Sequence, residues 1–394
     1  MSAQITDAVT MSAQRPPYQI PFNRTALAGA EPDNIAAAIK AGQIVGNGEY
    51  GRRCEQLIES LIGDGRRVML TTSCTHALEM SALLLNLQPG DEVIMPSFTF
   101  VSTANAFALR SAVPRFVDIR PDTLNLDETK IESLIGPQTR AVVAVHYGGV
   151  ACEMDTIERI AFRHSLDVIE DNAHGLLGAY RGKPLGTFGR MATLSFHATK
   201  NFTCGEGGAL IVNDSDLIDR AEIIREKGTD RASFFRGEID KYTWVDLGSS
   251  YPPSEILAAF LFAQLEAHEA IQSIRRGIWQ RYDDALRDWA TANGVRLPTV
   301  PDSCEQAYHL YWILLPEPEQ RTRLVEHLRS LGIVAVFHYL PLNLSPMGRC
   351  LGSKEGDCPV TESVADRLLR LPFYNDLSES DQHAVIGSIL DFRL

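Results

Sequence analysis

Short apolar runs recur through the first half of the chain, and most are followed by a stretch with helical spacing. The runs are Val68–Ser73, Glu92–Phe98, Val113–Ile119, Arg140–His146, Leu166–Asp171, Met191–Phe196 and Ala209–Val212. They are too short for buried helices and are bounded by turn-forming residues, so they read as strands covered on both faces. Between them the pattern predicts helices at 32–41, 54–62, 74–87, 102–110 and 154–164, with a further helical segment near 127–135. This alternation implies an α/β fold with a seven-stranded, mainly parallel sheet. Ligands of such sheets collect at the C-terminal strand ends. Here those ends carry Thr75, Phe98 and Phe100, His146, Asp171 and Lys200.

The pattern changes after residue 214. Residues 215–231 read as a charged helix, and 232–253 as an irregular stretch rich in aromatics. A loop that long is more often functional or a subunit contact than a spacer. Residues 254–291 read as one long amphipathic helix leading into a smaller α+β domain. In that domain we expect strands near 307–315 and 333–339 and helices near 319–331 and 361–370. The expected division is an extension over 1–19, a large domain over 20–253, and a linking helix with the small domain over 254–394. MSAQ occurs at both 1 and 11, which marks the first ten residues as a flexible tail or an alternative start.

Composition narrows the class. The 394 residues carry a net charge of −13, which disfavours nucleic acid as a partner. No apolar run is long enough to span a membrane, and no secretion signal is visible, so a cytoplasmic protein is expected. The seven cysteines include no CxxC pair and read as reduced thiols. The histidines show no HExxH or paired-ligand spacing, so no metal site is expected. TTSCTH after the first strand lacks the GxGxxG of a dinucleotide site.

The most informative stretch is MATLSFHATKNFTCGEGGALIVND, residues 191–214. It places Lys200 after a buried strand and just before a glycine-rich turn at Gly205, Gly207 and Gly208. A lysine desolvated at the mouth of a sheet loses affinity for its proton and becomes an amine nucleophile. Its natural partner is an aldehyde, and the aldehyde that enzymes carry is pyridoxal phosphate. That cofactor needs a carboxylate beside its pyridine nitrogen. Asp171, at the end of LDVIE, is the candidate, although an isolated Asp after a strand more often serves a turn. Thr71 to Thr75 sit at a strand-to-helix junction suited to a phosphate, where simple capping would need one such residue. Ser195 could add a phosphate contact. Phe98 or Phe100 could stack on a flat ring or simply fill the core. His174 could bond the cofactor's phenolic oxygen or be structural, and His146 is a weaker case of the same kind.

VIEDNAHG and SFHATKNFTCGEGGALIVND, with SCTHALEM and MPSFTFVSTANAF upstream, resemble the sugar aminotransferases of the DegT/DnrJ/EryC/StrS group. The resemblance runs from about Ile20 to the C-terminus. It implies a fold-type-I pyridoxal phosphate enzyme, with Lys200 as the cofactor-bearing lysine and Asp171 as the pyridine partner. It puts Cys74, Thr75 and Ser195 on the phosphate cradle, Phe100 on the ring-stacking position, and His174 where many members carry Gln. It also implies a homodimer with shared active sites, in which Ser250 would reach the partner's phosphate. The blocks RPDTLNLDETKIE, VHYGGVACEMDTI and VFHYLPL look like the branch that takes L-glutamate and a dTDP-linked keto-sugar. Rival readings are a UDP-linked keto-sugar, the family's dehydratase branch, which carries His at the lysine position, and a non-catalytic regulator or scaffold on the same fold.

Overall fold

The computed structural model describes residues 18–63 and 65–393. The expected N-terminal extension therefore lies almost wholly outside the described residues. The central sheet has seven strands: β1 (Arg67–Thr71), β2 (Glu92–Pro96), β3 (Val113–Val117), β4 (Thr139–Val145), β5 (Asp167–Asp171), β6 (Met191–Ser195) and β7 (Gly208–Val212). Their order across the sheet is β1-β7-β6-β5-β4-β2-β3. Strands β6, β5, β4, β2 and β3 run parallel, whereas β7 is antiparallel to both β1 and β6.

The strands bury both faces because their apolar side chains alternate between two cores. Met69, Leu210, Met191, Ile169 and Val143 face α3 (Cys74–Leu84), α4 (Val101–Ala108) and α6 (Ile218–Arg225). On the other face Val68, Leu70, Ala192, Leu194 and Ile211 pack on α2 (Glu49–Ile62) and α8 (Glu255–Glu266). Farther along that face Val142, Ala144 and Val168 pack on α5 (Met154–His164). Each such side chain, moved from water to the core, contributes about 1.5–3 kcal/mol. Helix α1 (Glu31–Lys40) joins the second face, and α7 (Arg231–Phe235) is a short exposed turn of helix.

A separate core belongs to α9 (His268–Asn293), the helices Pro318–Ser330 and Glu379–Leu390, and the short strand pair Trp312–Leu314 with Leu368–Arg370. Ile20 joins this core and bridges Ile333.

Several elements differ from the sequence expectation. The long helix at 254–291 is two helices broken at Ala267 (φ −87, ψ 14). Its first half is apolar all round and is swallowed by the sheet core, whereas the second is amphipathic and serves the other core. The helix near 127–135 is two short 3-10 turns. The charged helix at 215–231 ends at Arg225. Residues 333–339 form only isolated bridges, at Ile333 and Val336, and 361–370 divides into helix Pro359–Ala365 and strand Leu368–Arg370.

Candidate active site

Lys200 lies on the excursion between β6 and β7. The two strands are antiparallel neighbours, so the loop closes locally. Phe196 N–H donates to Gly207 O (2.8 Å) and Ala198 N–H to Gly205 O (2.9 Å). Lys200 N–H donates back to His197 O (2.9 Å). The lysine opens onto a cavity of about 480 Å³, whose walls also include Asp171, His174, Ser195, Cys74 and Thr75. Lys200 joins no ion pair among the described residues. Burial lowers its pKa from 10.5 to about 8, against the opposing pull of Cys74 and Asp171. A free amine near neutral pH is thus accessible at the end of β6.

Asp171 ends β5, beside β6 in register with Thr193. It is 5% exposed. Thr103 Oγ1 donates to its Oδ2 (2.7 Å), and Ala173 N–H to its Oδ1 (3.3 Å). Burial raises its pKa, while Thr103 and Lys200 hold it down. A carboxylate in that balance shares a proton readily with a facing base.

The N-terminus of α3 forms the far end. Ser73 caps the helix by accepting from His76 N–H (3.1 Å), and Thr75 Oγ1 shares a proton with Ser102 Oγ (2.7 Å). Cys74 Sγ bonds Thr193 (3.5 Å), and burial keeps the thiol protonated. Gly208 makes this end possible. A Cβ there would stand 2.3 Å from Cys74 N. Ser195, on β6, accepts weakly from His197 N–H (3.5 Å). Free N–H groups, hydroxyls and the helix dipole together suit a phosphate.

His174 is held by both ring faces and edges. Its ring stacks on His309 with centroids 4.1 Å apart. Gly148 N–H donates to its Nδ1 (3.3 Å), which leaves Nε2 carrying the hydrogen. Burial first, then the charges of Lys200 and Arg370, keep it neutral. Gly149 (φ +84) passes so close that a Cβ would lie 2.8 Å from His174 O.

The remaining expected residues divide. Phe100 lines the cavity, exposed, with its ring 6.5 Å from that of Tyr339. Phe98 is a core residue wedged against Tyr147 and Tyr339. His146 is structural: its Nε2 meets Glu170 Oε2 (2.8 Å) and its Nδ1 accepts from Cys152 N–H. Ser250 is exposed, bridges Glu226, and does not line its own chain's cavity. Thr103, His309 and Arg370 were not foreseen, because nothing in their local sequence separates them from ordinary helix, loop and strand residues. His338 and Tyr339 lay within VFHYLPL, but no spacing rule placed them at the wall.

Residues 26–390 match the DegT/DnrJ/EryC1/StrS aminotransferase family. The chain belongs to that family. It is a pyridoxal phosphate-dependent aminotransferase with the fold-type-I architecture. It is 35% identical over 319 residues to GDP-perosamine synthase of Caulobacter vibrioides, covering 80% of this chain and 82% of that protein. It is 30% identical over 386 residues to the spore coat polysaccharide biosynthesis protein SpsC of Bacillus subtilis, covering 96% and 98%. Among solved structures, the aminotransferase TlmJ of Streptoalloteichus hindustanus superposes with a TM-score of 0.85 at 30% identity, covering 94% of this chain and 98% of that one.

The site fits the cofactor. The cradle at α3 offers donors to a phosphate in a gap that only a glycine at 208 leaves open. Asp171 is a buried acid with a shareable proton, and Lys200 a depressed amine, on walls of one cavity. His174 Nε2–H is a fixed neutral donor. When bound, the cofactor supplies an electrophilic aldehyde and a cationic pyridine ring that draws electrons from a substrate C–H bond. Lys200, with its depressed amine on the same cavity, is the group that would hold the aldehyde and move a proton at the donor's Cα. Asp171 would be the carboxylate for the ring nitrogen, and Thr103 keeps that carboxylate aimed. No helix of the described residues is long and apolar enough to cross a membrane.

Proposed function

We propose that the chain moves an amino group from L-glutamate to C4 of a dTDP-linked 4-keto-6-deoxy sugar. The conversion is dTDP-4-dehydro-6-deoxy-D-glucose to dTDP-4-amino-4,6-dideoxy-D-galactose, the reaction of dTDP-4-amino-4,6-dideoxygalactose transaminase. The setting is the cytoplasm, in synthesis of a surface polysaccharide of the enterobacterial common antigen type. The observation that carries this reading is the meeting of Lys200 and Asp171 on one cavity whose wall includes His338 and Tyr339 of the VFHYLPL block. A volume near 480 Å³ lies within the about 300–1,000 Å³ of small-molecule sites. It suits a cofactor and a sugar ring, with the nucleotide extending beyond it.

Site assignments follow the same reading: Lys200 carries the cofactor, Asp171 faces its ring nitrogen, and His174 its phenolic oxygen. Cys74, Thr75 and Ser195 hold the phosphate, and Phe100 stacks on the ring. The active unit is a homodimer in which Ser250 reaches the partner's phosphate. Phe235, Tyr242, Trp244 and Leu247 are each at least half exposed, an apolar patch that a monomer rarely leaves bare.

The rival nucleotide has its own support, since GDP-perosamine synthase is a relative that its name ties to a GDP-sugar. The test is incubation with L-glutamate and a panel of dTDP-, UDP- and GDP-4-keto sugars, with products identified by NMR. A dTDP-linked 4-amino product is expected. Amination of only a UDP- or GDP-linked sugar would overturn the substrate and leave the reaction class.

A further inference from the structure

Arg275, on α9, is 2% exposed and has no anion beside it. It joins no ion pair among the described residues. Arg225, also buried, meets Glu55 (2.8 Å). The bonds of Arg275 all go to neutral oxygens. Its Nε donates to Tyr308 O (2.9 Å), one Nη to His309 O and the other to Asn375 Oδ1 (2.6 Å). The ring of Phe373 covers its guanidinium at 4.7 Å. A charge buried in this way stabilises a fold less than an apolar side chain of similar volume would. What the guanidinium supplies instead is a rigid fork of donors, and hence geometry.

The fork holds a strained turn. Tyr308 has φ +51, a left-handed conformation that bulky L residues avoid. Successive carbonyls of an extended chain point to opposite sides, yet Tyr308 O and His309 O reach one guanidinium. The turn and the arginine therefore require each other. Such strain persists only where the surroundings over-determine it, and it gathers at functional sites. From the segments held by Arg275, three bonds run to Asn201, the residue after Lys200. His309 Nδ1–H donates to Asn201 Oδ1 (2.8 Å), Asn201 Nδ2 to Ala307 O (2.6 Å), and Asn375 Nδ2 to Asn201 O (3.3 Å). Ala307 O can only accept, so the Asn201 amide turns its oxygen to His309 and the imidazole hydrogen lies on Nδ1. The His309 ring meanwhile stacks on that of His174, 4.1 Å between centroids and 19° between planes. The loop bearing Lys200 belongs to the sheet, whereas Arg275 sits on α9 of the second core. We propose that Arg275 is a positioning residue: through the Tyr308 turn and Asn201 it sets where the Lys200 amine stands, and through His309 it sets the His174 ring. The proposal rests on the reading above in which Lys200 carries the cofactor. Without the fork the turn relaxes, Asn201 loses its clasp and the amine gains water. Asp171, Cys74 and Arg370, whose charges bear on Lys200, lie on other segments and stay in place.

The test reads the Lys200 amine directly, in the full chain freed of cofactor. Reductive methylation with a carbon-13 label marks the lysines, Lys200→Met assigns the resonance, and its shift against pH gives the midpoint. Wild type should titrate near pH 8, where burial puts this amine. Arg275→Met and Asn201→Ala should each move the midpoint at least about one unit toward 10.5, which lowers the free amine at pH 7 about tenfold. Pyridoxal phosphate capture at pH 7, followed by absorbance, should slow in step. The double variant should show no more than the larger single effect, because one connection is cut twice. Arg275→Lys, a point charge without the fork, should not restore the wild-type midpoint. Leu324→Ala, which opens a cavity in the same core, should lower stability and leave the midpoint unmoved. A wild-type midpoint at 10.5, an unmoved midpoint in either single variant, additive shifts in the double, full restoration by Arg275→Lys, or an equal shift in Leu324→Ala each overturns the proposal. Should Arg275→Met fail to fold, Asn375→Ala replaces it under the same expectations. If Lys200→Ala captures cofactor as wild type does, the assignment of the lysine fails, while the midpoints still decide the role of Arg275.

Discussion

Lys200 shows how one side chain can report on its surroundings in two ways. In cofactor-free protein its amine releases a proton near pH 8 when folded, against 10.5 for an ordinary lysine. Between those values the unfolded chain holds more protons at this position, so stability rises with pH there. Below pH 8 both states are charged and the full burial penalty persists. From pH 7 to 9.5 we expect wild type to gain about 2 kcal/mol of unfolding free energy over Lys200→Met. Urea unfolding of both proteins at the two pH values measures it, and equal gains would contradict the burial argument. Lys200→Ala should also abolish turnover, because no second amine lines the cavity among the described residues. The placing of Lys200 and Asp171 at strand ends on one cavity was legible from sequence, since each sits in a short motif at a strand end. Thr103 and Arg370 were not. Thr103 acts through Asp171, 68 residues away, and Arg370 reaches the cavity from the distant strand Leu368–Arg370; only the folded chain supplies that proximity.

The elements repeat that division between local and distant signals. All seven sheet strands were readable, because strands buried on both faces carry dense apolar runs between turn residues. The break at Ala267 was not, since an apolar helix and an amphipathic one share helical spacing across it. Around the second core, strands of three residues are too short to show alternation. The junction of β7 with α3 yields an element-scale prediction. Gly208→Ala would drive a methyl to 2.3 Å from Cys74 N and Ser73 C, moving the cradle. Overpacking of that kind costs about 1–3 kcal/mol of stability. Cofactor affinity, followed by quenching of protein fluorescence, should fall at least about tenfold as cradle hydrogen bonds are lost. Gly277→Ala, in open space on α9, is the control and should leave affinity intact.

At the scale of the whole molecule, the cavity draws on both cores. Lys200, Asp171 and α3 come from the sheet, while His309, His338 and Arg370 come from segments around the second core. The exposed aromatics at 234–247 point to a further level of assembly. Phe235→Asp with Trp244→Asp should convert a dimer to monomers in sedimentation velocity and remove most turnover. A double variant that remains dimeric would show that another surface joins the subunits.

The position of β7 has a consequence for how the molecule is made. Strand β1, which leads to the cradle, never touches β6, which leads to the lysine; β7 alone joins them. It is the last strand of the sheet to leave the ribosome. A nascent chain halted before residue 208 lacks the strand that pairs with both β1 and β6, and only side contacts such as Cys74 to Thr193 tie the cradle to β6, so a firm seat for the coenzyme waits on that final strand.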